Sequence, residues 1–217
     1  MVTIKDYIQM CFDFSNSDKI RPSGWFSIPR LGIIEEVGEV AHPFKSYFLN
    51  RESQLDVDNV KEEIGDVFFV VVLYEMRRHF PYGCSDKEGL ASATQDIESA
   101  FILSDELSDY HCFSSQCYDR ADFNILDSQW EVTDVLAMLA ARCSELIFSN
   151  LRDADTLPTI FKLLSTVCYF IGSTLEEVIE QNYNKIKARH NIGTSGNILT
   201  KEQQFDIIQC HLFSVAK

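Results

Sequence analysis

Apolar residues recur along most of this chain at spacings of three and four, which is the pattern of a helix with one buried face. Strict alternation of apolar and polar residues, typical of strands, is not the dominant pattern. With only nine Gly and five Pro, the composition also argues against a fold built on many turns. The sequence therefore predicts an all-α fold, a helical bundle, with helices at about 4–14, 30–48, 57–79, 92–110, 130–150, 156–172 and 174–190.

Helix ends are indicated by particular residues. Pro43 removes a backbone donor from the second helix, which predicts a kink or an early end near His42. Capping boxes at Thr174–Glu177 and Thr200–Gln203 predict the start of the helix at 174–190 and of one further, C-terminal helix. The stretch 111–127 is polar, aromatic and weakly periodic, and we interpret it as a loop.

An acidic pattern, Glu-Glu-aliphatic-Gly-acid, occurs twice, at 35–39 and at 62–66, each time inside an apolar run. Residues three apart share a helix face, so Glu36 pairs with Glu39, and Glu63 pairs with Asp66. On two antiparallel helices these pairs would face each other, and four close carboxylates cannot all stay ionised unaided. Oxygen ligands of this kind suit Mg²⁺ or Mn²⁺. We therefore predict a metal site formed by Glu36, Glu39, Glu63 and Asp66.

Other interpretations of the acidic pattern remain open. Glu-x-x-Glu is common on solvated helix faces, and Glu177-x-x-Glu180 of this chain is an example. Glu35 and Glu62 flank the predicted site and either support it or face solvent. Gly38 and Gly65 cost helix stability, and a close approach of helices or of a nucleotide would explain them.

Charge and cysteine content narrow the functional classes. The net charge of −14 disfavours duplex nucleic acid and an anionic membrane as partners, although metal ions could bridge the protein to a polyphosphate. The seven cysteines, an odd number, contain no Cys-x-x-Cys pair, and we find no signal peptide and no apolar run of transmembrane length. A reduced, cytoplasmic location is the expectation.

The length allows one domain over 1–217, with a metal-binding half at 1–90 and a second half at 91–217.

These motifs together resemble the all-α nucleoside triphosphate pyrophosphatases, which include the MazG-like enzymes, the dCTP pyrophosphatases and the dimeric dUTPases. The acidic pairs are similar to their metal motif, and the lead-in from Trp25 to Leu31 is similar to an aromatic-Pro-basic-x-Leu segment of one branch. The segment Asn182-x-x-Lys185-x-x-x-Arg189 resembles that branch's last helix. The resemblance implies a Mg²⁺-dependent enzyme that cleaves a nucleoside triphosphate to the monophosphate and pyrophosphate. We also expect a homodimer.

Specific roles follow from the resemblance. Glu36 or Glu39 would accept a proton from the attacking water, and Asn182, Lys185 and Arg189 would bind substrate phosphates. Trp25 would either stack on the base or fill the core. The basic residues could instead be an ordinary helix C-terminus that complements the macrodipole. The whole chain could also be a non-enzymatic interaction module with a structural acidic cluster.

The segment with Asn182, Lys185 and Arg189, here called the basic tail, is far from the acids in sequence: Asn182 lies 116 positions after Asp66. An internal duplication would account for this distance. Aligning Trp25 with Trp130 matches the apolar positions of the two halves, but Glu36 then meets Ala141. The second half would be a degenerate copy that supplies the basic tail.

Overall fold

The fold is all-α, as the sequence predicts. The computed structural model describes residues 2–16, 27–50, 54–80, 87–106, 129–148 and 154–190, and within these ranges it contains helices and no strand. The described helices are α1 (Ile4–Asn16), α2 (Ser27–Leu49), α3 (Val57–Arg78), α4 (Lys87–Glu106), α5 (Gln129–Phe148), α6 (Thr156–Phe170) and α7 (Leu175–His190). The predictions for Trp25, for 111–127 and for a helix after Thr200 lie outside the described residues.

Helix α3 is the centre of the bundle and packs against α1, α2, α4, α6 and α7. Its apolar run is buried on nearly every side, as in Phe68, Val71 and Met76, because neighbouring helices cover it all round. The side chain of Val70 lies against Gly32 of α2, and Glu63 lies close to Glu39 further along α2. Because the higher number in one helix meets the lower number in the other, α2 and α3 run antiparallel.

Helix α2 does not end early at Pro43. It continues to Leu49, so of the two outcomes predicted near His42 the early end is wrong, and the kink stays a prediction. A proline inside a helix removes one backbone hydrogen bond. Here Pro43 and its neighbour Phe44 are buried, and α2 packs against both α3 and α5. This tertiary packing offsets the local loss.

The remaining helices form the other side of the bundle. Helices α5 and α6 pack on each other, α5 also packs on α2, and α4 packs on α6, α3 and α1. Helices α2 and α3 form one pair of sequence neighbours, and α5 and α6 form another, which is compatible with an internal duplication. The duplication stays a prediction. The division into halves at residue 90 also stays a prediction.

Side-chain caps are present at the starts of α3 and α7. Asp56 accepts a hydrogen bond from the backbone N–H of Asn59 at the start of α3. The capping box before α7 is confirmed, since Thr174 Oγ1 accepts from the N–H of Glu177 and a Glu177 carboxylate oxygen accepts from the N–H of Thr174. Helix α4 begins at Lys87, earlier than the predicted start at Ser92.

By length and composition, no single helix of the described ranges could cross a membrane. One pair, Thr156–Phe170 with Leu175–Arg189, meets these criteria only when its two helices are taken together, and it is bent by 98°.

Candidate metal centre

Three of the predicted metal ligands converge where α2 and α3 face each other. Glu36, Glu39 and Glu63 each contribute one carboxylate oxygen to a group whose atoms all lie within 4.8 Å of one another. All three side chains are partly buried. Opposite oxygen ligands of an octahedral Mg²⁺ stand about 4.2 Å apart. The donor type and the spacing therefore fit a hard divalent cation.

Two of these carboxylates have strongly perturbed acidity. Burial, together with the charges of Asp66, Glu39, Glu63 and Glu35, raises the pKa of Glu36 from 4.5 to about 8. Burial and the neighbouring acids likewise raise the pKa of Glu63 to about 7, although Lys185 acts in the opposite direction. Without a cation, then, part of the cluster is protonated near neutral pH. A bound divalent cation would favour the ionised forms of both carboxylates.

Asp66, the fourth predicted ligand, is held by hydrogen bonds from α7. Its Oδ1 accepts from Asn182 Nδ2 at 2.7 Å, and its Oδ2 accepts from Lys185 Nζ at 2.6 Å. Asp66 is not a member of the group of three, but its charge has the largest Coulombic effect on the pKa of Glu36. It therefore borders the cluster while two α7 side chains fix its orientation.

The basic tail lies beside the acids within the same chain. Lys185 Nζ also contacts Glu62 Oε1 at 3.1 Å, and Arg189 Nη2 lies 3.4 Å from the same oxygen. The hydrogen bond from Lys185 is the main reason that the pKa of Glu62 is lowered. Glu62, left open in the sequence analysis, is thus the partner of both basic side chains. Tertiary folding has closed a gap of more than one hundred residues.

Asn182 occupies a different environment from Lys185 and Arg189. Its side chain is only 3% exposed, and its amide oxygen accepts a hydrogen bond from Tyr7 at 2.6 Å while its nitrogen donates to Asp66. One amide hydrogen is left for any further partner. A phosphate contact by Asn182 stays a prediction that depends on that hydrogen.

The two glycines of the acidic motifs have different surroundings. A Cβ atom added to Gly65 would lie 2.8 Å from Cβ of Asn182, so Gly65 permits the close approach of α3 and α7. A Cβ added to Gly38 would meet nothing within 4 Å. Only Gly65 is therefore explained by helix packing.

Two concave regions border α2 and α3, on different sides. A cleft of about 270 Å³ lies beside the acids and is lined by residues of α3 and α7, which are Asp58, Lys61, Glu62, Gln181, Asn182 and Lys185. A larger apolar groove of about 690 Å³ lies between α2 and α5, where Gly38 and Ala41 line it. At about 100° per residue, Glu39 is about 160° around α2 from Ala41. The larger groove is therefore separate from the acid site, and the smaller cleft is the one next to it.

A second group of potential ligands lies at the far end of α3. His79 Nε2 is 3.4 Å from both Glu75 Oε1 and Asp96 Oδ2. Glu75 is fully buried, whereas Asp96 lies on the exposed side of α4. These contacts connect the C-terminal end of α3 to α4.

Residues 29–79 match the family model of the MazG nucleotide pyrophosphohydrolase domain. The match spans α2 and α3 and includes all four predicted metal ligands, so the resemblance to the all-α nucleoside triphosphate pyrophosphatases is confirmed over this segment. Comparison with curated proteins and with solved structures gives no match.

Sequence reasoning did not find Tyr7, whose hydroxyl reaches the site through Asn182. Tyr7 lies in α1 beside Ile8, among apolar positions that predict a core face. Neither its spacing nor its type relates it to residues 175 positions away. The only sequence signal is that a buried tyrosine hydroxyl requires a partner.

Proposed function

We propose that this protein is a divalent-metal-dependent nucleoside triphosphate pyrophosphohydrolase that releases a nucleoside monophosphate and pyrophosphate. The observation that carries the proposal is that a cluster of carboxylates and two basic side chains lie next to each other. Three carboxylates converge within 4.8 Å, and two basic side chains of α7 stand beside the same helix α3. The match of residues 29–79 to a MazG domain supports this class of reaction.

Glu36, Glu39 and Glu63 would hold Mg²⁺, or Mn²⁺ in its place, and Asp66 would complete the negative site. When bound, the metal supplies neutralisation of phosphate charge and a more acidic water. Glu36 or Glu39 would accept the proton of the attacking water, because both carboxylates belong to the group that would hold the metal and its bound water.

Lys185 and Arg189 would bind phosphate oxygens on the side of the site formed by α7. Lys185 is held by the carboxylates of Glu62 and Asp66, and Arg189 lies against that of Glu62, so both charges are directed at this region. Arg can bind two phosphate oxygens at once, whereas Lys acts as a point charge. Trp25 remains a proposed contact to the base. The base and the sugar are to be found by experiment.

Metal-dependent hydrolysis of the eight common ribo- and deoxyribonucleoside triphosphates tests the proposal. We expect pyrophosphate release from at least one of them with Mg²⁺ or Mn²⁺. Glu36→Gln and Asp66→Asn should lower the rate at least about 100-fold, as for removal of a group that acts in the transition state. Glu176→Gln is the matched control, because Glu176 is an exposed acid on α7 outside the cluster.

Loss of activity in Glu176→Gln, or full activity in both site variants, would contradict the assignment of the site. If no nucleotide is hydrolysed with either metal, the alternative of an interaction module with a structural acidic cluster is favoured.

A homodimer and a cytoplasmic location are also part of the proposal. The basic and acidic residues already meet within one chain, so a dimer is not required to bring them together. Light scattering after size exclusion would give the oligomeric state. If sites do form between subunits, mixing a Lys185 variant with an Asp66 variant should restore part of the activity.

A further inference from the structure

A continuous line of hydrogen bonds connects α1 to the acid site. The hydroxyl of Tyr7 donates to Asn182 Oδ1 at 2.6 Å, and Asn182 Nδ2 donates to Asp66 Oδ1 at 2.7 Å. Lys185 holds the other carboxylate oxygen of Asp66 at 2.6 Å. Asp66 is thus bonded at both oxygens by groups that do not belong to its own helix.

Tyr7 fixes which group donates and which accepts in each of these hydrogen bonds. The hydroxyl is fully buried, and burial raises the pKa of Tyr7 well above 10, so the phenol keeps its proton at any ordinary pH. Because the phenol donates, the amide of Asn182 presents its oxygen to Tyr7 and its nitrogen to Asp66. The reversed amide would place its oxygen against the carboxylate of Asp66, where two acceptors repel each other.

The surroundings leave the amide little freedom. Gly65 lies directly under Asn182, and the ring of Tyr7 packs edge-on against Phe68 with centroids 5.2 Å apart. Both Tyr7 and Asn182 are buried, so water cannot easily replace a lost hydrogen bond.

We propose that Tyr7 is a positioning residue of the metal centre, which acts through Asn182 to fix the orientation of Asp66 beside Glu36 and Glu63. The inference rests on the proposed function for its catalytic consequence, but its direct consequence is metal affinity. Groups that orient a metal-binding carboxylate typically change affinity or activity by about 10–100-fold when removed. Tyr7 acts through one intermediate side chain, so a change of about tenfold is expected.

Tyr7→Phe is the main test, because it removes the hydroxyl and retains the packed ring. Mn²⁺ binding is measured without nucleotide, by calorimetry or by electron paramagnetic resonance of free Mn²⁺. We expect Tyr7→Phe to weaken Mn²⁺ binding about tenfold. Tyr183→Phe is the matched control, since the Tyr183 ring lies 6.4 Å from that of Tyr7 and its hydroxyl bonds Lys187 instead. The control should bind Mn²⁺ within about twofold of the unmodified protein.

A double-mutant cycle with Asn182→Ala separates positioning from general stability. If Tyr7 acts through Asn182, Tyr7→Phe should have no further effect on Mn²⁺ binding in the Asn182→Ala protein. Equal effects of Tyr7→Phe in the two backgrounds would overturn the proposal. Unchanged Mn²⁺ binding in Tyr7→Phe with a lowered melting temperature would also overturn it, because the hydroxyl would then serve only the core.

Should Tyr7→Phe not fold, unchanged Mn²⁺ binding by Asn182→Ala would overturn the proposal, and binding weakened about tenfold or more would support it. If the unmodified protein binds Mn²⁺ but hydrolyses no nucleotide, the proposed function fails while the metal site stands. In that case the Mn²⁺ measurements still test the positioning role of Tyr7.

Discussion

Gly65→Ala and Gly38→Ala form a matched pair of substitutions with opposite expected effects. Each glycine is the fourth residue of one copy of the five-residue acidic motif, Gly65 in α3 and Gly38 in α2. A Cβ at Gly65 would lie 2.8 Å from Cβ and 2.9 Å from Nδ2 of Asn182, whereas a Cβ at Gly38 would meet nothing within 4 Å. The pair therefore isolates the contact between α3 and α7 from the general preference of helices for alanine.

The magnitudes follow from these surroundings. Alanine favours a helix over glycine by about 0.5–1 kcal/mol, and at Gly38 nothing opposes this gain. For a domain of this size, 1 kcal/mol corresponds to about 2–4 °C in melting temperature. At Gly65 the added methyl group overpacks the contact, at a cost of about 1–3 kcal/mol. Displacing Asn182 adds about 1–3 kcal/mol for buried polar groups left without partners. Gly65→Ala should therefore lose at least about 1 kcal/mol net.

The assay is thermal and urea unfolding of both variants at one pH, combined with Mn²⁺ titration. Gly38→Ala should melt higher and bind Mn²⁺ normally. Gly65→Ala should melt lower and bind Mn²⁺ more weakly, because the hydrogen bond from Asn182 to Asp66 depends on the same contact. A Gly65→Ala protein that is stabilised as much as Gly38→Ala would refute this account of the α3–α7 contact.

Three further predictions concern acidity, the basic tail and a helix cap. In metal-free protein the folded-state pKa of Glu36 is about 8, above its ordinary 4.5. The contribution of Glu36 to stability is therefore complete below about pH 4.5 and is lost as pH rises to about 8, at up to about 1.4 kcal/mol per pH unit. In urea unfolding between pH 5 and 8, the free energy of unfolding of Glu36→Gln should depend less on pH than that of the unmodified protein. Lys185→Ala should lower kcat/KM at least about tenfold through lost phosphate binding, and Lys187→Ala, whose amine bonds Tyr183, should not in the same steady-state assay. Thr174→Ala should cost about 1 kcal/mol in urea unfolding and leave activity unchanged, since it removes only a cap of α7.

The acidic half of the site could be predicted because its signal is local. Glu36 with Glu39, and Glu63 with Asp66, are three apart within apolar runs, and helical geometry alone puts each pair on one face. The antiparallel arrangement of α2 and α3 then brings three of the four together. The all-α fold was predictable for the same reason, since its periodicity is read over single helices.

The basic half could not be placed by local pattern. Lys185 meets Asp66 only because α7 packs on α3, and no spacing rule spans that distance. The resemblance to a known family pointed to the helix that lies beside the acids, but not to the burial of Asn182 between Tyr7 and Asp66. Pro43 shows a different limit of local rules: they predicted either a kink or an early end of α2 near His42, and tertiary packing carries the helix past the early end.

Product identity tests the central claim most directly. Phosphorus NMR of a nucleoside triphosphate turned over by the protein with Mg²⁺ distinguishes the bond that is cleaved, and the Glu36→Gln protein provides the control. The account predicts monophosphate and pyrophosphate in equal amounts from the unmodified protein, and formation of both at least about 100-fold slower by Glu36→Gln. Diphosphate with orthophosphate, or equal product formation by the two proteins, would contradict it.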